Sequence, residues 1–446
     1  MTSTAISAEA RLTLRRVLMS CIVGTTIEWY DFFLYGTAAG IVFNRQYFPT
    51  TNPTVGTLLA FATFAVGFAA RPIGGLIFGH IGDRLGRKRT LVMTMMIMGV
   101  GTLLIGCLPT YRQIGLAAPV LLVLLRVAQG IAVGGEWGGA ILMSVEYAPR
   151  GKRGLFGSVP QMGLALGLLL GTGVFALGQT VLSTTAFDHW GWRVGFWLSA
   201  ILVVVGLMIR LKIVETPEFR KVEALAARST IPAVELVSGR RNRRNVLLGM
   251  GARWVEGTAY NAWAVFAISY STNTLNMRSG PALYSVMIAA AVLFVLIPVW
   301  GRIADRWTAR RTFALGAALS AVVPLVCFPM LASRKPILFG IGVIIALGII
   351  YPIVYAPEGT FFAELFSARV RYTGISVVYQ LSGIVASGLA PLLLSVLLKG
   401  ANGGVSLIVI YFLVIGAISL VCTLAARPLR EAREPDPALD EASVTT

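Results

Sequence analysis

Apolar runs separated by short polar gaps recur along almost the whole chain. A helix that crosses a bilayer needs about 20 apolar residues. Twelve such stretches can be drawn, at 17–42, 54–80, 90–109, 118–145, 154–182, 192–212, 246–271, 281–301, 312–332, 337–362, 370–398 and 405–426. One connection is long, the polar and charged stretch 213–245 between the sixth and seventh runs. The pattern predicts an all-α membrane protein of twelve transmembrane helices. Its plan is an N-terminal segment 1–16, a six-helix bundle 17–212, a linker 213–245, a second six-helix bundle 246–426 and a tail 427–446. The tail is rich in proline and acidic residues, lacks heptads and reads as disordered.

Composition removes the soluble classes. Of the 446 residues 56% are hydrophobic and 13% charged, and the mean hydropathy is +0.76. A soluble chain of this length has no core large enough for so much apolar surface. The net charge of +18 forms no arm or stripe that would read nucleic acid; it punctuates the gaps between apolar runs. With the N-terminus inside, 28 of the 38 Lys and Arg fall in cytoplasmic segments, seven fall outside, and Arg71, Arg126 and Arg253 lie within spans. That bias puts both termini in the cytoplasm. The first run carries Glu28 and Asp31 and is too long and too charged for a cleavable signal, so it is retained as a helix. The four cysteines show no metal-ligand spacing, no phosphate-binding Gly-x-x-x-x-Gly-Lys-Ser/Thr loop is present, and no nucleophile-plus-base set can be assembled. The expectation is a non-enzyme with no metal or cofactor, driven by an ion gradient rather than ATP.

The chain repeats itself. Gly79-His80-Ile81-Gly82-Asp83-Arg84 is echoed by Gly301-Arg302-Ile303-Ala304-Asp305-Arg306, 222 residues later, each after the second run of its half. Glu146 and Arg153 are echoed by Glu364 and Arg371, 218 residues on, each after the fourth. A duplicated six-helix unit follows, two pseudo-symmetric bundles with a solute site expected between them near mid-membrane.

These residues resemble the major facilitator superfamily. Gly79-x-x-x-Asp83-Arg84-x-Gly86-Arg87-Lys88-Arg89 is similar to its signature loop between helices two and three, and Thr308 stands where the second copy would have glycine. Glu146-x-x-Pro149-x-x-x-Arg153-Gly154, Glu215-Thr216-Pro217 and Glu364-Leu365-Phe366 through Arg371 resemble signatures of its sugar-porter-like members. The run Glu28 to Gly36, with Arg71-Pro72-Ile73-Gly74-Gly75 and Gln129-Gly130 through Gly134-Gly135-Glu136, resembles the metabolite:proton symporters, carriers of shikimate, α-ketoglutarate, citrate and proline or betaine. Val42-Phe43-Asn44-Arg45, Phe48-Pro49, Trp137-Gly138-Gly139 and Tyr270-Ser271-Thr272 look closest to the shikimate-permease branch. The resemblance implies the major facilitator fold, a bacterial inner membrane and a carrier that works as a monomer. Asp31 matches the proton-binding aspartate of sugar–proton symporters, and Arg126 the arginine that pairs with it. By the same resemblance Gly79, Asp83, Arg84, Gly86, Arg87, Glu146 and Arg153, with Asp305, Arg306, Glu364 and Arg371, form a cytoplasmic gate.

An ionisable group within a span costs several kcal/mol unless paired or wetted, which makes each one a functional candidate. They are Glu28, Asp31, Arg71, Arg126, Glu136, Arg253, Glu256 and Glu358. Glu28, Asp31, Phe32 and Tyr35 share one face of the first helix, and Arg253, Glu256 and Tyr260 one face of the seventh. An isolated carboxyl in a dry cavity keeps its proton, and an approaching guanidinium releases it. Asp31 and Arg126, with Glu28 and Glu136, are therefore candidates for proton coupling; a permanent salt bridge is the alternative. Arginine's planar fork suits a carboxylate, so Arg71 and Arg253 are candidates for the substrate, with Glu256, Tyr35, Tyr260, Gln129, Tyr379 and Gln380 around them. Equally, Arg253 and Glu256 at i, i+3 can neutralise each other. Trp29, Tyr30 and Phe33 either shape the cavity or pack. Glu358, near Pro352 and Pro357, is a gating candidate. The glycine series 163, 167, 171 and 130, 134, 138 permit close helix approach. The resulting expectation is proton-coupled uptake of a small organic acid. The rivals are a proline- or betaine-type compatible-solute symporter and a drug–proton antiporter.

Overall fold

In the computed structural model the described residues are 8–50, 53–85, 87–134, 141–142, 144–145, 148–149, 151–212, 236, 239–367 and 370–427, and no strand occurs among them. The long helices are α1 (Ala8–Ala38), α2 (Pro53–Leu85), α3 (Arg87–Cys107), α4 (Ala117–Val133), α5 (Arg153–Val181) and α6 (Arg193–Lys212). The second set is α7 (Arg240–Asn261), α8 (Ser279–Trp307), α9 (Ala309–Ala332), α10 (Pro336–Glu364), α11 (Arg371–Gly400) and α12 (Ser406–Ala425). Among the described residues seven of these are long and apolar enough to cross a bilayer on composition alone, and α6 joins them if its bent lead-in is counted. The described apolar parts of α3 and α4 are short, Val92–Cys107 and Ala117–Val133. The first and seventh apolar runs each carry two charged residues, Glu28 and Asp31 on α1 and Arg253 and Glu256 on α7.

Several helices outrun their apolar stretches. The first begins at Ala8 rather than 17, and the seventh at Arg240 rather than 246, inside the expected linker. Hydropathy marks where lipid contact begins, whereas Arg and Asn in 240–245 keep a helix going without being apolar. The tenth span is interrupted: Tyr351–Tyr355 and Glu358–Glu364 are separate helical pieces with Pro357 as the cap between them. The rest of the linker, 213–235 and 237–238, and the tail from 428 lie outside the described residues. Both α1 and α7 run into a π-helical turn, Ala39–Phe43 and Ala262–Phe266. These turns stand 223 residues apart, within one residue of the sequence repeat.

Missing side chains set the helix spacing. A Cβ built on Gly167 would lie 2.6 Å from Trp29 Cβ and 2.7 Å from the Tyr30 nitrogen, and one on Gly163 2.7 Å from Thr25 Cβ. The 163–167–171 stripe therefore seats α5 against the backbone of α1. Gly130 and Gly134 do the same for α4, whose Cβ positions would fall 2.1 Å from the carbonyl oxygens of Gly67 and Arg71 on α2. Gly138 lies outside the described residues.

At one end a group of hydrogen bonds joins the two sets of six. There Asp305, on α8, accepts hydrogen bonds from the backbone N–H groups of Gly154 (2.6 Å) and Leu155 (3.0 Å), at the start of α5. A carboxylate on free N–H groups at a helix N-terminus is matched in both hydrogen bonding and dipole. Thr360 donates to the Arg153 carbonyl at 3.1 Å, Gln161 to that of Tyr355 at 2.9 Å, and Gln380 to that of Gly134 at 2.9 Å. At the opposite end a cavity of about 270 Å³ opens between α2, α7 and α11, lined by Thr54, Thr57, Ser269, Asn273 and Lys399 among others. Beneath it Asn273 donates to the Gly40 carbonyl at 2.8 Å.

Two outcomes follow. Gly167→Leu should lower stability by about 3 kcal/mol or more through overpacking, read as a depressed melting temperature of the purified protein. Gly173→Ala, whose Cβ would meet only Met287 Cε at 3.5 Å, should be neutral. Asp305→Ala should weaken closure by about 2 kcal/mol, roughly thirtyfold in population. The readout is thiol labelling of Ser158→Cys, a site 0% exposed in the closed arrangement; unchanged labelling would mean that Asp305 does not hold this end shut.

Candidate functional site

The stripe on α1 faces inward as its spacing predicts. Asp31 is 2% exposed, and neither of its carboxylate oxygens has a hydrogen-bond partner. The Thr102 hydroxyl and the Arg126 guanidinium are the neighbours that act on it. Among the described residues no ion pair within 4 Å joins Asp31 to Arg126. Arg126 instead stacks its guanidinium carbon 4.0 Å from the Tyr35 ring centroid and donates to Gln129 Oε1 at 3.2 Å, while its Nε stays unpartnered. Gln129 passes the chain on to Thr102, 2.7 Å away. Tyr35 is held by Thr63 at 2.5 Å. Glycine again makes room, since a Cβ on Gly67 would stand 3.0 Å from Arg126 Nε.

Arg71, on α2, is buried and aromatic-lined: its guanidinium carbon lies 4.1 Å from the Phe68 centroid and 5.4 Å from that of Phe32. Among the described residues no carboxylate comes within 4 Å of it. Glu28, half-buried, and Arg253 and Tyr379 from the other six helices are the charged and titratable groups that act on it from further away. A cation–π contact is worth about 0.5–2 kcal/mol, and stripping water from a guanidinium costs several. The aromatic faces alone do not compensate Arg71.

Arg253 is the opposite case. Its Nε lies 3.2 Å from Glu358 Oε1 and 3.4 Å from Glu256 Oε2, and its Nη1 donates to the Tyr379 carbonyl and to Ser382 Oγ, both at 3.2 Å. The Tyr379 ring centroid is 3.7 Å from its guanidinium carbon. Tyr351 donates to Glu256 Oε1. Tyr260, between Trp29, Phe33 and Tyr351, has a buried hydroxyl without a partner.

The structure thus brings most of the predicted central residues into two clusters, with Arg71 between them. Asp31, Tyr35, Arg126 and Gln129 make one, and Arg253, Glu256, Tyr260 and Tyr379 the other. Gln380 bridges to α4 instead, and Tyr30 donates to the Gly195 carbonyl at 2.7 Å, a packing role. Glu136 and Glu146, Gly86 and the side chains of Gly79, Asp83, Arg84 and Arg87 lie outside the described residues. Of the remaining signature residues Asp305 spans the interface, Arg306 is exposed and Arg371 donates to the Phe366 carbonyl at 3.2 Å. Arg153 and Glu364 lie at the same end. Sequence reasoning missed Thr102, Gln161, Tyr351 and Ser382. Each is an uncharged polar residue in an apolar run, and only intramembrane charge had been used as a signal. Glu358, assigned to gating, sits on Arg253.

Comparison with known proteins agrees with this architecture. The sequence profile of the Major Facilitator Superfamily matches residues 21–387 and 257–445. The chain is 37% identical over 420 residues to the inner membrane metabolite transport protein YhjE of Escherichia coli K12, covering 93% of this chain and 94% of that one. It is also 37% identical to the shikimate transporter of the same organism, covering 94% and 95%, and 31% identical to its proline/betaine transporter, covering 94% and 85%. A partially occluded, inward-open structure of the E. coli xylose transporter XylE superposes with a TM-score of 0.70 at 17% identity, over 93% of this chain and 97% of that one, a likeness of fold. The chain belongs to the Major Facilitator Superfamily and is a multi-pass membrane transporter.

Proposed function

We propose that this transporter takes up a small organic acid of the shikimate kind together with protons, by alternating access, across a bacterial inner membrane. The observation that carries the reading is Arg71: a buried guanidinium, aromatic on its faces, with no carboxylate within 4 Å among the described residues. A substrate carboxylate is the counter-charge such a group lacks, and a planar fork receives it through two charge-assisted hydrogen bonds. Arg253, already engaged by Glu256 and Glu358, is better suited to holding α7, α10 and α11 together. The relative named a shikimate transporter supports the organic-acid class.

Proton coupling is assigned to Asp31. An ionised carboxylate buried without a donor would be desolvated and uncompensated, whereas a protonated one is not. Asp31 without an ion pair to Arg126 is thus the arrangement of a proton-loaded carrier, and pairing with Arg126 would discharge it. Glu28 and Glu136 remain candidates for the same path. Both termini and the Asp305 end face the cytoplasm in this reading, with Asp83, Arg84, Arg87, Glu146, Arg153, Arg306, Glu364 and Arg371 completing the gate. The proton gradient is the energy source, no cofactor is needed, and the monomer is the working unit.

A second reading, a betaine-like zwitterion, is supported by the proline/betaine relative. Trp29, Phe33 and Tyr260, with ring centroids 5.4 Å, 5.0 Å and 6.0 Å apart, pack against one another and would have to part to enclose a quaternary ammonium.

Counterflow of labelled shikimate, α-ketoglutarate and betaine in proteoliposomes decides between them. The organic-acid reading expects the first or second to exchange and betaine not to compete. Arg71→Gln should raise KM by roughly 30- to 100-fold, the loss of about 2–3 kcal/mol of charge-assisted hydrogen bonding, and Arg71→Lys should recover part of it. Asp31→Asn should abolish accumulation driven by a pH gradient while sparing exchange. Concentrative uptake by that variant would remove the assignment.

A further inference from the structure

Arg253 faces two carboxylates, one more than it can neutralise. Glu256 and Glu358 are 3% and 0% exposed, and both converge on the same Nε. Ionised together, they would leave one negative charge in a dry site and repel each other across it. A further cation, Arg71, acts on Arg253 but has no carboxylate within 4 Å among the described residues. The other titratable groups facing the pair are tyrosines, Tyr260 on α7, Tyr351 and Tyr355 on α10 and Tyr379 on α11, and none supplies positive charge.

The hydrogen bonding says where a proton fits. Glu256 accepts from Tyr351 on Oε1, and its Oε2, without a hydrogen-bond partner, lies 3.4 Å from the Arg253 cation. Glu358 is served only on Oε1, and its Oε2 is buried without a partner. Alongside it lies the side-chain amide of Gln161, from α5. Gln161 is oriented by the bond from its Nε2 to the Tyr355 carbonyl, so its Oε1 is a second buried acceptor, also without a donor. Glu358 Oε2 and Gln161 Oε1 are thus buried acceptors without a donor on neighbouring side chains.

We infer that Glu358 is a proton-binding site of the second six helices, its Oε2–H donating to Gln161 Oε1 across the interface between the two sets. The proton removes the excess charge on Arg253 and adds a bond between α10 and α5 in the state closed at the Asp305 end. Loss of that proton restores the charge and removes the bond, which favours separation at this end. The place of the site in a transport cycle rests on the proton-coupled reading above; its occupancy does not.

Infrared spectroscopy of the purified full-length protein at neutral pH tests it without substrate. A protonated buried carboxyl gives a carbonyl-stretch band that shifts in D₂O. Glu358→Gln should remove a component of that band, and Asp31→Asn should leave this component in place. Gln161→Leu should move the component to higher frequency by removing its acceptor. Glu256→Gln should also remove it, because Glu358 then becomes the sole counter-charge of Arg253 and ionises; this variant decides the matter if Glu358→Gln does not fold, monodispersity and melting temperature being the check. An acid band identical to wild type in the folded Glu358→Gln or Glu256→Gln protein overturns the inference. An unchanged band in Asp31→Asn counts only against the Asp31 assignment.

Discussion

A charge held away from water needs a counter-charge, and the centre of this molecule is arranged around how far that need is met. Asp31, Arg71, Arg126, Arg253, Glu256 and Glu358 are all buried. One arginine has more carboxylate than it can neutralise, and two have none within 4 Å among the described residues. Each isolated burial costs several kcal/mol, so the mismatch is tolerable only if mobile partners supply what the fixed ones do not. A carrier has such partners in its proton and its solute. Unequal satisfaction at the centre is what would let their arrival shift the balance between two arrangements of the helices.

Packing around the centre is less yielding. Glycine stripes on α4 and α5 bring these helices within backbone contact of α2 and α1, and in the second set Gly316 on α9 seats against Val354 on α10 and Gly416 on α12 against Ala321 on α9, which makes each six-helix set stiff. The bonds between the sets are of another kind, polar side chains reaching backbone groups, as with Asp305 on Gly154 and Leu155 or Gln380 on Gly134, or one another, as with Ser279 and Gln179. Stiff units joined by a small number of polar contacts separate along that seam more readily than they deform.

Much of this was legible in the residues. Hydropathy predicted the spans, and intramembrane charge singled out Asp31, Arg126, Arg253 and Glu256 at spacings that share a face. Helix ends were read less well. The start of α7 at Arg240 is invisible to hydropathy because arginine and asparagine continue a helix without being apolar. Spacing also could not tell which arginine was occupied. The i, i+3 pairing of Arg253 with Glu256 was visible, but the second carboxylate comes from Glu358, 105 residues away. The uncharged partners Thr102, Gln161, Tyr351 and Ser382 carry no mark in a single sequence, since serine, threonine and tyrosine are common in helices of this kind.

The π turns of α1 and α7 have a historical consequence. A π turn holds one residue more than an α turn and disturbs the hydrogen-bond ladder around it, so it persists where something depends on it. Ala39–Phe43 and Ala262–Phe266 occupy corresponding places in the two copies. A single insertion inherited by both copies accounts for this pairing more simply than two independent ones. The turns at Ile344–Ile350 and Ile384–Gly388 lack a described counterpart in the first copy, and so mark where the two descendants of one ancestral bundle went separate ways.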